Sequence, residues 1–179
     1  PTAGGVIAGT NNLGLDVSLS SGANLFTIVD TQEGSTHLTT GLANDRIAVR
    51  RIDGPTSIET GAGADTVYIG SGAGFWPTTG LFQNVLGHAN DIAAALTVCG
   101  GTVTALVCGS GDSIDEVDVD DTSDLANDHS ILTLDHLTGL FAPAGSLEYH
   151  GLEQLDIHVG DAPGGNEFTI ESTHATSYG

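Results

Sequence analysis

Positive charge is almost absent from this chain of 179 residues. The chain has no Lys and three Arg against 23 Asp and Glu, which gives a formal net charge of −20 at pH 7. Such a surface repels phosphate, so ordinary nucleic-acid binding and docking on anionic membranes are excluded. The acidic groups also repel one another unless counter-ions bind. Asp in Gly-rich turns is a natural Ca²⁺ ligand, so the composition favours calcium. The alternative is simply an acidic surface of an extracellular or halophilic protein.

Strong helix formers and long apolar runs are also scarce. Met and Lys are missing, Asp outnumbers Glu, and the apolar segment 92–98 is too short to cross a bilayer. The chain is rich instead in Gly, with 26 residues, and in Thr, Ser and Asp. Gly and Asp favour turns, whereas Val, Ile and Thr favour strands. We therefore expect an all-β protein without membrane insertion. Its start at Pro1 leads us to expect a processed chain or an excerpt of a longer one.

The end of the chain repeats its beginning. Leu-Asp-Val, Asn-Leu-Phe-Thr-Ile and Ser-Thr-His start at residues 15, 24 and 35. Leu-Asp-Ile, Asn-Glu-Phe-Thr-Ile and Ser-Thr-His start at residues 155, 166 and 172. Self-similarity at a fixed period is typical of solenoids and tandem arrays. We therefore interpret residues 1–179 as a single elongated unit, about one period of 140 residues plus an overlap.

A shorter phrase recurs within the chain, in which a polar turn precedes an apolar–variable–apolar triplet. The triplets begin at residues 26, 47, 67, 117 and 168. This is the period of a half-buried strand, and the early spacing of about 20 residues fits a coil with two strands. Partner strands are predicted at 15–19, 38–40, 57–59, 96–98, 131–134, 147–149 and 155–159. The pattern predicts a β-solenoid, a rod like a parallel β-helix made of stacked rungs.

Residues 70–95 interrupt the pattern and are predicted to be an irregular insertion on the flank of the rod. The segment holds Phe75, Trp76 and Phe82 outside the strand phrases, and a helical turn is expected near 91–95. Trp76 could contact a neighbouring subunit or a glycan. The alternative is a satellite core under a long loop.

The sharpest local motif spans residues 60–68, Thr-Gly-Ala-Gly-Ala-Asp-Thr-Val-Tyr. It resembles the Gly-Gly-x-Gly-x-Asp nonapeptide of RTX (haemolysin-type) calcium-binding repeats, with Thr60 in place of the first Gly. The resemblance implies that Gly61 and Gly63 turn carbonyls toward Ca²⁺ and that Asp65 supplies a carboxylate. Weaker relatives of the motif contain Asp112 and Asp161.

The whole chain is similar to the long-period Gly/Asp/Thr-rich tandem repeats of giant bacterial secreted and surface proteins. The nonapeptide departs from the RTX pattern because it stands alone rather than back to back. Its alternative is a tight Gly-rich turn in which Asp65 bonds its own backbone. A second candidate cation site is the acidic run Asp112, Asp115, Glu116, Asp118, Asp120, Asp121 and Asp124. The alternative for this run is a solvated acidic face.

Cys99 and Cys108 are the two cysteines, and they end similar apolar phrases on either side of a Gly pair. A disulfide that clips a hairpin or two adjacent edges is expected, as in extracellular proteins. Two buried free thiols are the alternative. The seven His show no His-x-x-x-His spacing.

The three cations Arg46, Arg50 and Arg51 lie close together in one strand phrase. In so acidic a chain they are candidate assembly contacts to carboxylates of the next rung or the next subunit. A local surface ion pair is the alternative.

No catalytic constellation stands out, so we expect the protein not to be an enzyme. The pattern favours a structural building block of an extracellular filament, surface layer or giant adhesin. Such a block would assemble head to tail with copies of itself, stabilised by Ca²⁺. The alternatives are a glycan-binding module and a polysaccharide-acting β-helix enzyme, since both occur on similar scaffolds.

Overall fold

The computed structural model describes residues 13–104, 107–109 and 113–173, and in these ranges the chain is all-β. They contain strands and no helix, so the all-β prediction is confirmed and the helical turn expected near 91–95 is absent. The strands are β1 Leu15–Ser18, β2 Leu25–Ile28, β3 Thr36–Thr39, β4 Arg46–Val49, β5 Thr56–Glu59, β6 Thr66–Ile69, β7 Gly74–Trp76, β8 Leu81–Gln83, β9 Ala95–Cys99, β10 Val103–Thr104, β11 Val107–Cys108, β12 Glu116–Asp121, β13 His129–Leu132, β14 His136–Thr138, β15 Ser146–His150, β16 Gln154–Val159 and β17 Glu167–Ile170.

Two sheets contain most of the strands. The large sheet has the order β1-β3-β5-β9-β15-β14-β13-β17, and the small sheet has the order β16-β12-β6-β4-β2. Along the chain, β1 to β6 alternate between the large and the small sheet. The pairs β1–β3, β3–β5, β2–β4 and β4–β6 are all parallel. Parallel pairing of strands that alternate between two sheets is compatible with a solenoid-like fold.

The recurring triplets lie in register across the small sheet. Phe26 pairs with Ile47 and Ile47 with Val67, so that apolar residues form a column. The column continues from Val67 through Val117 to Leu155. Ile47, Val67 and Val117 have no exposed surface, and they belong to one core cluster that also holds residues of the large sheet. The apolar residues of the predicted triplets therefore face the core, and the variable residues between them face away from it.

The large sheet departs from a simple stack of coils. Strands β13 and β14 stand between β15 and β17, and both β14–β15 and β13–β14 are antiparallel pairs. The sequence predicted the segment 131–134 as one more strand of a coil. It did not predict that two strands here would form an antiparallel meander with β15. The sheets are thus parallel over most of their extent without being stacked rungs throughout.

The segment 70–95 contains the antiparallel hairpin β7–β8, which lies against the small sheet. Phe82 of β8 packs on the buried side chain of Ala48, and its ring centroid lies 5.8 Å from that of Tyr68. Arg50 Nε donates a hydrogen bond to the carbonyl of Ala73 at the start of the hairpin. Ile92 forms a parallel bridge with Ile52. Ala48, Ala73 and Phe82 form a small second apolar cluster with Tyr68, whereas Ile52 and Ile92 belong to the main core.

A second hairpin, β10–β11, carries the predicted disulfide. Cys99 at the end of β9 is bonded to Cys108, with a Cα–Cα distance of 5.7 Å. No helix in the described part of the chain is long and apolar enough to cross a membrane.

Candidate functional site

A row of acidic side chains, three of them buried, passes through the turns that precede the strands of the small sheet. The backbone N–H of Asn24 donates to Asp45 Oδ1 at 2.7 Å, and that of Asp45 donates to Asp65 Oδ1 at 2.7 Å. The N–H of Asp65 donates to Asp115 Oδ1 at 2.9 Å, and that of Asp115 donates to Glu153 Oε2 at 2.8 Å. Asp45, Asp65 and Asp115 are at most 1% exposed. We call Asp45, Asp65, Asp115 and Glu153 the acidic ladder, because each carboxylate accepts a backbone N–H from the turn one step earlier in the row, which begins at Asn24.

The RTX-like turn at 60–68 is explained locally by this close stacking. Gly61 and Gly63 have φ values of +87° and +127°, and a Cβ on Gly61 would overlap the carbonyl of Gly41. Only glycine accommodates that approach readily. Thr60, which replaces the first Gly of the nonapeptide, donates from its hydroxyl to the carbonyl of Cys99 at 3.3 Å. The turn is therefore fitted to its neighbouring turns, and the Asp65 carboxylate accepts the N–H of Asp45 rather than bonding only within its own turn.

The other residues predicted as calcium ligands lie elsewhere. Asp161 is exposed in the turn after β16, and Asp112 lies outside the described residues. Throughout residues 13–104, 107–109 and 113–173, one group of three acidic, His or Cys side chains has its ligand atoms within 4.8 Å of one another. Its members are Asp121, Asp124 and Asp128, which we call the Asp cluster.

The Asp cluster occupies the connection from β12 to β13. Asp121 is the last residue of β12 and is fully buried, and its Oδ1 accepts the N–H of Ala89 at 2.7 Å. Asp121 Oδ2 and Asp128 Oδ2 are both buried and receive no hydrogen bond. The carboxyl of Asp128 lies close enough to hydrogen-bond to that of Asp121 when one of them is protonated. A group of three carboxylates in this arrangement can hold a metal ion.

Asp124 is held in place by neighbouring donors. Its Oδ1 accepts the N–H of Ala126 at 2.9 Å, and its Oδ2 accepts Asn90 Nδ2 at 2.9 Å. The Ala126 hydrogen bond is the main reason that the pKa of Asp124 is lowered. Asp124 is therefore ionised at neutral pH.

The two buried carboxyls behave in the opposite way. The pKa of Asp121 is raised to about 7, first by burial and then by the charges of Asp128 and Asp124, although the hydrogen bond from the Ala89 N–H lowers it. Burial, followed by the charge of Asp124, also raises the pKa of Asp128. The site thus disfavours a second and third negative charge unless a proton or a cation compensates for them.

Asp121 and Asp124 belong to the acidic run that was predicted as a cation site, whereas Asp128 was not among the predicted residues. The signal that could have found the cluster is the spacing Asp-x-x-Asp-x-x-x-Asp directly after an alternating strand. The partners of the cluster, Ala89 and Asn90, lie more than 30 residues earlier in the sequence. Spacing alone could not have identified them.

The predicted assembly residues contact their own chain. Arg51 pairs with Asp53 at 3.0 Å and with Asp30 at 3.3 Å, and Arg50 binds Ala73 as described. Arg46 is exposed at the start of β4. Trp76 is half-buried and its Nε1 donates to the carbonyl of Gly72 at 2.8 Å. The indole is therefore partly committed to its own loop, while the adjacent side chain of Phe75 is 53% exposed.

The two copies of the repeated phrase form the edges of both sheets. In the described residues β1 and β17 are the outer strands of the large sheet, and β2 and β16 are those of the small sheet. The first copy supplies β1 and β2, and the second supplies β16 and β17 with the sheets exchanged. An open apolar groove lies between β16 and β17, lined by Leu132, Leu155, Ile157, Val159, Phe168 and Ile170.

No protein-family model, no curated protein and no solved structure matches this chain significantly.

Proposed function

We propose that this chain is a β-solenoid unit of an extracellular filament, surface layer or giant adhesin, and that it joins end to end with copies of itself. The observation that carries the proposal is that the repeated phrase supplies the outer strands of both sheets at both ends. An outer strand presents unpaired N–H and C=O groups to any strand that can lie beside it. Two open edges at each end offer a surface for the next unit.

Strand direction is compatible with such a joint. In the small sheet β2, β4, β6, β12 and β16 all run parallel. In the large sheet β17 is parallel to β13, and the two antiparallel steps from β13 to β15 restore the direction of β1. A following copy can therefore place β1 beside β17 and β2 beside β16, with parallel pairing in both sheets. Heterologous contacts of this type generate filaments when the rotation between successive copies does not close a ring.

The groove between β16 and β17 supplies the apolar part of the joint. Phe168 is 37% and Ile170 is 60% exposed, whereas Val67 and Ile69, the triplet residues of β6, are fully buried. At the other end, Val17, Leu19 and Phe26 are only partly buried against the core. Covering these side chains with the next copy would remove apolar surface from water at both ends, which favours association.

An extracellular location and calcium are parts of the same proposal. The Cys99–Cys108 disulfide favours an oxidising compartment. The net charge of −20 favours binding of divalent counter-ions that reduce self-repulsion.

The test is the association state of the full chain over a wide concentration range, measured by sedimentation velocity and electron microscopy. The wild type is expected to form elongated species that grow with concentration. Ile170→Lys places a charge on the exposed edge strand β17 and is expected to weaken association at least tenfold. Leu81→Lys is the matched control, because Leu81 is 57% exposed on the hairpin β7–β8, which is not part of either edge of the two main sheets. Both variants should keep the circular dichroism spectrum of the wild type. A wild type that stays a folded monomer at every concentration would refute the proposal.

A further inference from the structure

The Asp cluster contains a feature that exposed acidic groups lack. Asp121 has no exposed surface, and its Oδ2 is buried without a donor. Asp128 Oδ2 is also buried without a donor, and the two carboxyls adjoin. A buried carboxylate oxygen with no partner is costly, and two adjoining ones also repel each other. Something positive is therefore required between them.

The protein itself supplies little positive charge at this place. The side chains next to the cluster that become positive when protonated are His88, near Asp124, and His129, near Asp128. Each is already near another carboxylate, since His88 lies 3.7 Å from Asp91 and His129 lies 3.0 Å from Glu167. The three Arg are all in or next to β4. Compensation must therefore come from a proton or from an ion in solution.

We propose that Asp121, Asp124 and Asp128 bind one divalent cation of the calcium type. All three donors are carboxylate oxygens, which select hard cations over transition metals. Oxygen atoms up to 4.8 Å apart can lie on opposite sides of one Ca²⁺, whose bonds to oxygen are about 2.3–2.6 Å long. Mg²⁺ requires a tighter octahedron and should bind more weakly.

The cation would hold together three segments that are distant in sequence. Asp121 receives the N–H of Ala89, and Asp124 receives Asn90, so the loop before β9 is fixed to the site. The N–H of Asp128 donates to Asn166 Oδ1 at 3.0 Å, and Asn166 directly precedes β17. The site therefore lies where the last coil joins the rest of the sheet. A cation there would fix the edge strand that the proposed joint uses.

This inference rests on the proposed function only where it relates the cation to the joint between copies, and the experiment separates the two. Isothermal titration of CaCl₂ into chelator-treated full-length protein is carried out on the wild type and on the Ile170→Lys variant, which is expected to be monomeric. Both are expected to bind one Ca²⁺ per chain and to gain thermal stability. If the wild type binds one Ca²⁺ but never associates, the cation site is supported and the filament proposal is refuted.

Substitution by Asn distinguishes a cation site from a shared proton. Asp128→Asn removes one charge at a partly exposed position and is expected to weaken Ca²⁺ binding at least tenfold. Asp121→Asn supplies an amide donor to Asp128, so it should raise the melting temperature in chelator and abolish the response to Ca²⁺. Glu33→Gln, at an exposed carboxylate between β2 and β3, is the control and should bind as the wild type does.

Two results would overturn the inference. If wild-type protein shows neither heat of binding nor a shift in melting temperature with Ca²⁺, the two carboxyls share a proton and no cation binds. If one Ca²⁺ binds with unchanged affinity to both Asp121→Asn and Asp128→Asn, the ion lies elsewhere.

Discussion

Replacing Asp65 tests whether the RTX-like turn is built for hydrogen bonding along the acidic ladder or for calcium. The carboxylate of Asp65 accepts the backbone N–H of Asp45 at 2.7 Å, in a region where both residues are at most 1% exposed. Asp65→Ala removes the acceptor and leaves the N–H of Asp45 buried and without a partner. Asp65→Asn keeps an oxygen that can accept this N–H and removes the charge.

The size of the effect follows from burial. A buried donor that loses its acceptor costs about 1–3 kcal/mol, so Asp65→Ala should destabilise the protein by about 2 kcal/mol. For a chain of this size that corresponds to a melting temperature lower by about 4–8 °C. Asp45→Ala should cost less, about 0.5–1 kcal/mol, because the two hydrogen bonds that Asn24 donates to Asp45 Oδ1 are only part-buried. Asp65→Asn should cost less than Asp65→Ala.

The assay is equilibrium unfolding in urea, followed by circular dichroism, once with chelator and once with millimolar Ca²⁺. The ladder predicts the same order of stability in both conditions. The reasoning is refuted if Asp65→Ala and Asp45→Ala cost the same amount, or if the loss caused by Asp65→Ala is present only with Ca²⁺. The second result would assign Asp65 to a calcium site, as the RTX resemblance implies.

Two further predictions concern stability. Reducing the Cys99–Cys108 disulfide, whose cysteines are nine residues apart, should lower the free energy of unfolding by about 2–3 kcal/mol. Urea unfolding with and without reductant measures this, and a change below about 0.5 kcal/mol contradicts it. In chelator, the raised pKa of Asp121, about 7 against 3.8, means that the folded state holds a proton that the unfolded state releases. Stability relative to Asp121→Asn should therefore be greatest below about pH 4, fall by up to about 1.4 kcal/mol per pH unit, and level off above about pH 7. A difference that does not change between pH 4 and 7 contradicts the assignment.

The parts of the fold that follow from periodicity could be predicted from the sequence. The triplets at 26, 47, 67, 117 and 168 all fall within strands, because an apolar–variable–apolar pattern has one stable solution in a half-buried sheet. Each of the seven predicted partner segments also overlaps a strand. The disulfide could also be predicted from the sequence, because the chain has two cysteines and the Gly pair between them allows it to turn back.

Strand order and side-chain partners could not be predicted in the same way. The segment 129–138 has the composition of one more coil, and only its pairing with β15 makes it an antiparallel meander. Pairing is decided by contacts that no local pattern encodes. The same limit applies to the Asp cluster, because Asp121 finds its donor at Ala89 and Asp128 finds Asn166. The acidic residues of this chain have similar local sequences, and their roles differ because different residues lie beside them in the fold.

The repeated phrase itself has a local physical explanation at the two ends of the chain. Within the ladder the side chains are carboxylates, which only accept hydrogen bonds, whereas each copy of the phrase has Asn at the corresponding place before its strand. Asn24 Nδ2 donates to the carbonyls of its own turn and of Thr40, which a carboxylate cannot do. Asn166 likewise donates to the carbonyl of Gly160 while it accepts the N–H of Asp128. An amide thus satisfies an end turn that has a neighbouring coil on one side. Asn is therefore suited to the outermost turns of the described residues, whereas carboxylates occupy the corresponding place in the interior turns.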